Sequence, residues 1–208
     1  MHNLVVGLLA LPLIALPVAA KAESPWSVKV GFSQVNPKSN NGLLAGSLSS
    51  EVSSEVGFTP SIEYKFTDNI VAEVLLAIPF KHDVTVTGGA LTNSVVASFK
   101  HLPPTVSAKY LFSPGAAFSP YVGVGLNYTF VFSEKTKGAL AGTELKGNNS
   151  VGLAASAGFE YRIPNSPWGI GVDLRYINIK SDLKLDGNDI GELSVDPTVI
   201  GISAVYNF

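Results

Sequence analysis

Phe58-Thr59-Pro60-Ser61-Ile62-Glu63-Tyr64-Lys65-Phe66 alternates without a break: Phe58, Pro60, Ile62, Tyr64 and Phe66 share one parity, while Thr59, Ser61, Glu63 and Lys65 share the other. Successive side chains of a strand point to opposite faces, so this stretch is a β-strand with one apolar and one polar face. Val28, Val30 and Phe32 alternate in the same way with Lys29, Gly31 and Ser33. Followed along the chain, the period of two predicts eight strands, near 25–36, 54–67, 69–81, 98–112, 118–133, 150–163, 167–181 and 193–208. Most are longer than the roughly five or six residues usual in soluble sheets, and long enough to cross a bilayer when tilted.

The connections alternate in length. They are long at 37–53, 82–97, 134–149 and 182–192, and short at 68–69, 113–117 and 164–166. A membrane barrel with external loops and periplasmic turns requires this alternation. Trp26, Tyr64, Phe66, Tyr110, Phe112, Phe118, Tyr161, Trp168, Tyr206 and Phe208 fall at the ends with short turns, and Phe80, Tyr128, Phe130, Phe132 and Tyr176 toward the other ends, as two interfacial girdles would. A soluble β-sandwich or a lipocalin-like barrel shares the alternation, but nothing in either would sort aromatics to strand ends.

Composition agrees. Mean hydropathy is +0.30, yet beyond the leader no apolar run is long enough for a spanning helix. Only helices and closed barrels satisfy every backbone group in lipid, so a greasy chain without such a helix points to a barrel. The 208 residues carry a net charge of -2 and no cysteine. That gives no basic block for a nucleic acid, no disulfide and no thiolate metal site. Leu4 to Ala20 is nearly free of polar side chains, and Ala20-Lys21-Ala22 supplies a small-x-small cleavage pattern. Residues 1–22 are therefore expected to be a signal peptide, and 23–208 the barrel. A membrane anchor is the alternative, against which stand the short run and its interruption by Pro12 and Pro17. Only His2 precedes the run where a basic residue is usual.

Several blocks, in order, resemble the OmpW family of small outer-membrane porins. They are Thr67-Asp68-Asn69-Ile70, Leu75-Leu76-Ala77-Ile78-Pro79-Phe80-Lys81-His82, His101-Leu102-Pro103-Pro104-Thr105, Pro120-Tyr121-Val122-Gly123-Val124-Gly125-Leu126-Asn127-Tyr128-Thr129, Val195-Asp196-Pro197 and Tyr206-Asn207-Phe208. The resemblance implies an all-β, eight-stranded antiparallel transmembrane barrel in the outer membrane of a Gram-negative bacterium. Its narrow, largely hydrophobic lumen is associated with uptake of small hydrophobic molecules, without a cofactor. Members of the family are linked variously to alkane uptake, stress response and colicin reception, so the cargo stays open. The terminal Phe208 resembles the signal read by the barrel-assembly machinery.

With the greasy parity toward lipid, the other parity faces the lumen. Glu63, Lys65, Glu73, Lys109, Glu160, Arg162, Asp173 and Arg175 then occupy its lower and middle part, with acids and bases interspersed. Such a mixture makes a neutralised plug rather than an ion filter of one sign. The upper lumen reads as apolar: Leu75, Ala77, Pro79, Ile177, Ile179, Pro197 and Val199, facing small residues at Gly123, Gly125, Gly152, Ala154 and Ser156 that would leave room for a guest. Gly123 to Gly125 lacks the following helix of a phosphate loop. Leu43, Leu44, Ala45 and Leu48, with Ala139, Leu140, Ala141 and Leu145, would either cover the mouth as a greasy funnel or pack on one another.

A hydrophobic guest cannot cheaply displace paired ions and their water, so it would leave sideways. Pro79 beside Pro103 and Pro104 offers the place, because proline has no N–H for the ladder. His82, Asp83 and His101 are the one catalytic or metal-ligating candidate. They lack an oriented nucleophile and a further ligand, and an enzyme is not expected. The function expected is passive uptake of a small hydrophobic molecule through the external loops, with lateral release into outer-membrane lipid. A sealed barrel that serves as structure or as a docking surface for phage, colicin or host is the alternative.

Overall fold

The structure is a computed structural model and describes residues 24–208; the expected signal peptide lies outside the described residues. In chain order the strands are β1 (Trp26–Asn36), β2 (Leu43–Leu44), β3 (Leu48–Val52), β4 (Glu55–Phe58), β5 (Ser61–Lys65), β6 (Ile70–Leu75), β7 (Phe80–Gly88), β8 (Leu91–Leu102), β9 (Thr105–Leu111) and β10 (Phe118–Thr136). A 3-10 turn (Gly138–Leu140) follows, then β11 (Leu145–Gly147), β12 (Ser150–Arg162), β13 (Trp168–Ile177), β14 (Lys180–Leu185), β15 (Asn188–Ser194) and β16 (Thr198–Asn207).

Eight of these close a ring in the order β1, β5, β6, β9, β10, β12, β13, β16, each antiparallel to the next. The seam joins the two ends of the chain, β1 to β16, from Ser27↔Asn207 to Asn36↔Thr198. β4 continues β5 past Thr59 and Pro60 and stays paired to β1. Polarity is inverted relative to a soluble barrel. On β1, Val30 and Phe32 are 43% and 58% exposed, whereas Lys29 and Ser33 are 5% and 6% exposed. Greasy side chains on the outside and polar ones inside suit lipid, not water, as the surrounding solvent.

The aromatic girdles form as expected, with one exception. At the lower end Trp26 stacks edge-on with Tyr64 at 4.8 Å, and Trp168 with Tyr206 at 4.9 Å. At the outer end Tyr128, Phe130 and Tyr176 are exposed. Phe80 is not in the girdle: it is buried in the lumen.

The long connections are largely strand rather than loop. β7 and β8 form a hairpin across 82–97, β3 extends that sheet, and β11, β14 and β15 make a second small sheet. Asp186-Gly187, with φ of +50° and +82°, turns β14 into β15, as an Asp-Gly pair does in a two-residue hairpin. The period of two persists in Val84-Thr85-Val86-Thr87, but now the apolar parity points inward, with Val84 and Val86 buried. Leu44, Val52, Phe99, Leu183, Leu193 and Val195 join them in one apolar cluster that continues from the upper lumen into this canopy. Above the membrane the solvent is water, and the ordinary inside-out rule returns.

Candidate functional site: the lumen, its wall and its mouth

One layer of the lumen is ionic. Parity turns Lys29, Glu63, Glu73, Lys109, Glu160 and Arg175 inward from six strands, and Glu73 is their hub. Its Oε1 accepts from Lys109 Nζ at 2.5 Å and its Oε2 from Arg175 Nη2 at 2.7 Å, all three side chains being 3% exposed or less. Lys109 Nζ also reaches Glu63 Oε1 at 2.6 Å; Lys29 lies 2.9 Å from the same oxygen and pairs with Glu160. The Tyr121 ring lies under both ammonium groups, 4.6 Å from Lys109 and 5.6 Å from Lys29, a cation–π arrangement. Asp173 sits at the edge of the layer, a quarter exposed and 3.8 Å from Arg175 Nε. Lys65 and Arg162 lie below, lining a vestibule of about 240 Å³ at the periplasmic mouth together with Glu63 and Glu160. Lys29 and Tyr121 were not among the expected plug residues, although both carry the inward parity.

Above this floor the lining becomes apolar. A cavity of about 30 Å³ is bounded by Val35, Leu75, Ala77, Phe80, Ile177 and Val199, with Glu73, Asp173 and Arg175 beneath. A second, of about 20 Å³, lies higher among residues that include Val84, Ile179, Leu183 and Val195. Pro197 is buried but borders neither. Pro79, expected in this lining, is exposed, and Phe80 takes the inward place. Outward positions run Val74, Leu76, Ile78 and then Lys81, so one extra residue is inserted at Pro79 and the parity resets. Gly57 makes room for the Phe80 ring; a Cβ there would lie 2.5 Å from it. The small residues facing this storey leave less room than expected: a Cβ on Gly125 would meet the Val106 carbonyl oxygen at 2.5 Å. Their smallness lets neighbouring strands approach closely.

The wall is discontinuous at this height. The β6–β9 ladder ends at Leu75↔Thr105, and the β7–β8 ladder begins at Phe80↔His101. Four residues, 76–79, face three, 102–104, with no ladder pair between them among the described residues. Leu76 and Ile78 donate instead to Pro60 and Phe58 on the opposite side. Alternation therefore turns Ala77 and Pro79 toward the gap, and Pro103 toward it from the facing strand. Of these three only Ala77 has an N–H. The facing strand is also held by β10: Tyr128 N donates to the Pro104 carbonyl, and the Asn127 side chain reaches with Nδ2 to the carbonyls of both Pro103 and Pro104 at 3.1 Å each. The lower apolar cavity reaches both edges of the gap, at Ala77 and Pro103.

His82 and His101 come together, stacked with centroids 4.7 Å apart and flanked by Phe80 and Phe99. His82 Nδ1 meets the Ser53 carbonyl, and burial holds its imidazole below the usual histidine range. Asp83 points to the other face and pairs with Lys137 at 2.6 Å, so the three do not form one constellation. At the mouth Leu44 is buried in the canopy while Leu43 is exposed, and Leu48, Leu140 and Leu145 pack against the same cluster. These apolar loop residues pack on one another, and in doing so they cover the barrel.

A closed antiparallel barrel with a lipid-facing apolar exterior, two aromatic girdles and an ion-filled lumen is an outer-membrane β-barrel. The chain belongs to the OmpW family, whose profile matches residues 23–208. Outer membrane protein W of Vibrio cholerae serotype O1 is 35% identical over 218 residues, covering 100% of both chains. Outer membrane protein AlkL of Ectopseudomonas oleovorans is 25% identical over 195 residues, covering 89% of this chain and 83% of its own. Among solved structures, the crystal structure of OprG from Pseudomonas aeruginosa superposes with a TM-score of 0.78 at 28% identity, covering 89% of this chain and 97% of that one. The protein resides in the outer membrane of a Gram-negative bacterium, and its relatives are named as membrane proteins rather than enzymes.

Proposed function

We propose that this barrel takes up small hydrophobic molecules passively, from outside through the canopy into the apolar storey, and releases them sideways into the outer leaflet. The observation that carries the reading is the proline-flanked gap in the wall, at the height of the apolar cavity and above the ionic layer. Passage downward would strand buried ions one by one, at a cost far above that of leaving through an unpaired seam. Cells carrying the protein are expected to accumulate a radiolabelled hydrophobic tracer several-fold faster than cells lacking it, with no gain for a charged solute of similar size. Equal rates for the tracer would favour the second reading, a sealed recognition barrel. One observation supports that reading too. The two upper cavities hold room for only about two waters each or fewer, so a guest must displace side chains such as Phe80.

Assembly by the barrel-assembly machinery belongs to the same proposal. Phe208 ends the chain at the lower girdle, its ring 5.0 Å from Tyr206 and its N–H donated to the Trp26 carbonyl. A chain ending at Asn207 is expected to give several-fold less heat-modifiable, folded barrel in outer-membrane fractions. Full assembly of the truncated chain would count against Phe208 as the signal.

A further inference from the structure

Just above the outer girdle, one side of the wall carries uncompensated positive charge. Lys81 of β7 and Lys100 of β8 are registered directly opposite each other. Both are exposed on the outer face, because His82, Phe99 and His101 take the alternate, inward positions. Lys100 is also registered to Phe132 of β10, and Lys135 lies one bulge further up that strand, exposed as well. Outside the lumen, Lys38, Lys137, Lys146 and Lys180 each have a carboxylate at 2.6–3.2 Å. Among the described residues Lys81, Lys100 and Lys135 have none, and the one acid in their midst, Asp83, is held by Lys137. Like charges directly opposite on antiparallel strands repel. Among the described residues no carboxylate offsets that repulsion here.

The height of the patch indicates what does. Lys100 stands two residues above Leu102, which is registered to the girdle residue Phe130. At about 3.3 Å per residue that is roughly 7 Å along the strand, the level at which acyl chains give way to headgroups. The exposed Phe130 ring below can pack against acyl chains, and three ammonium groups above match phosphate.

We propose that Lys81, Lys100 and Lys135 form a docking surface for a phosphate-bearing lipid of the outer leaflet, whose phosphate bridges the opposed pair Lys81 and Lys100. The site lies immediately above the gap in the wall, since Phe80 and His101, the first pair beyond it, adjoin these two lysines in sequence. A lipid held there ties β7 to β8 just above the point where the wall loses its own ladder. The inference rests on the barrel's place in the outer membrane and is independent of the uptake reading.

The test uses the full mature chain refolded in uncharged detergent and titrated with bisphosphorylated lipid A, with adducts read by native mass spectrometry. The wild type, and K184Q as a control at an exposed lysine of β14, are expected to bind it about tenfold or more tightly than dephosphorylated lipid A. K81Q/K100Q/K135Q is expected to lose that preference. If the triple variant does not reach the folded, heat-modifiable form, K100Q alone is expected to weaken binding about fivefold. Retention of the phosphate preference by the folded triple variant, or by K100Q in its place, overturns the proposal. So does equal binding of the two lipids by the wild type.

Discussion

Replacing Glu73 by leucine is expected to lower the unfolding free energy by about 3–5 kcal/mol, because it leaves two buried cations without their shared anion. Both Lys109 and Arg175 are 1% exposed and meet Glu73 at 2.5 and 2.7 Å. Lys109 keeps Glu63, but among the described residues Arg175 keeps only Asp173, at 3.8 Å, and the Ser107 hydroxyl, at 3.4 Å. Glu144→Leu makes the contrast. That carboxylate is 70% exposed and its pairing with Lys146 at 3.2 Å lies in water, so about 0.5 kcal/mol or less is expected. Asp173→Leu should fall between the two, since its carboxylate is a quarter exposed and makes one long contact. The measurement is urea unfolding in phospholipid vesicles, followed by the fluorescence of Trp26 and Trp168. Adding Arg175→Leu to Glu73→Leu should recover part of the loss, as the stranded cation is then removed. Equal midpoints for Glu73→Leu and Glu144→Leu would show that the layer is solvated and no plug.

The second large effect is on transport. With Pro79 and Pro103 both replaced by valine, the two edges of the gap regain amide donors. At about 1 kcal/mol per added ladder bond, the open fraction of the gap falls roughly 30-fold. Tracer uptake should drop toward that of cells lacking the barrel, at unchanged abundance. Pro104→Val is expected to do much less, because the Pro104 carbonyl already bonds Tyr128 and its missing donor faces β10 rather than the gap. Undiminished uptake by the double variant at equal abundance would falsify lateral release and bring the lower lumen back as the path.

The barrel was legible because membrane strands announce their two faces residue by residue. Glu63 beside Ile62 and Arg175 beside Tyr176 could be assigned to lumen and lipid from parity alone, and Lys29 between Val28 and Val30 carried the same signal. What parity could not say is which charge meets which. Glu73 and Arg175 are 102 residues apart and meet only because the ring closes. Pro79 and Phe80 were misplaced for a local reason: one inserted residue resets the alternation at Pro79, and a proline in a strand marks a bulge as readily as a missing ladder bond. The canopy strands were hidden by a different assumption, that long connections between membrane strands are loops. Val84-Thr85-Val86-Thr87 and Asp186-Gly187 were hairpin signals, with the apolar parity now facing a water-shielded core.

The seam between β1 and β16 has a kinetic consequence. The first strand to leave the ribosome has as one of its two neighbours the last, with Ser27 registered to Asn207. Until the final ten residues arrive, β1 presents an unpaired edge, and a partial barrel exposes that row of amides to any other strand in reach. The ring cannot be completed piecemeal during synthesis. The largest loop in the chain must be closed in the last step, so folding is slow by topology. A polypeptide built this way has to be carried across the periplasm unfolded and protected from its own kind until both ends are in hand.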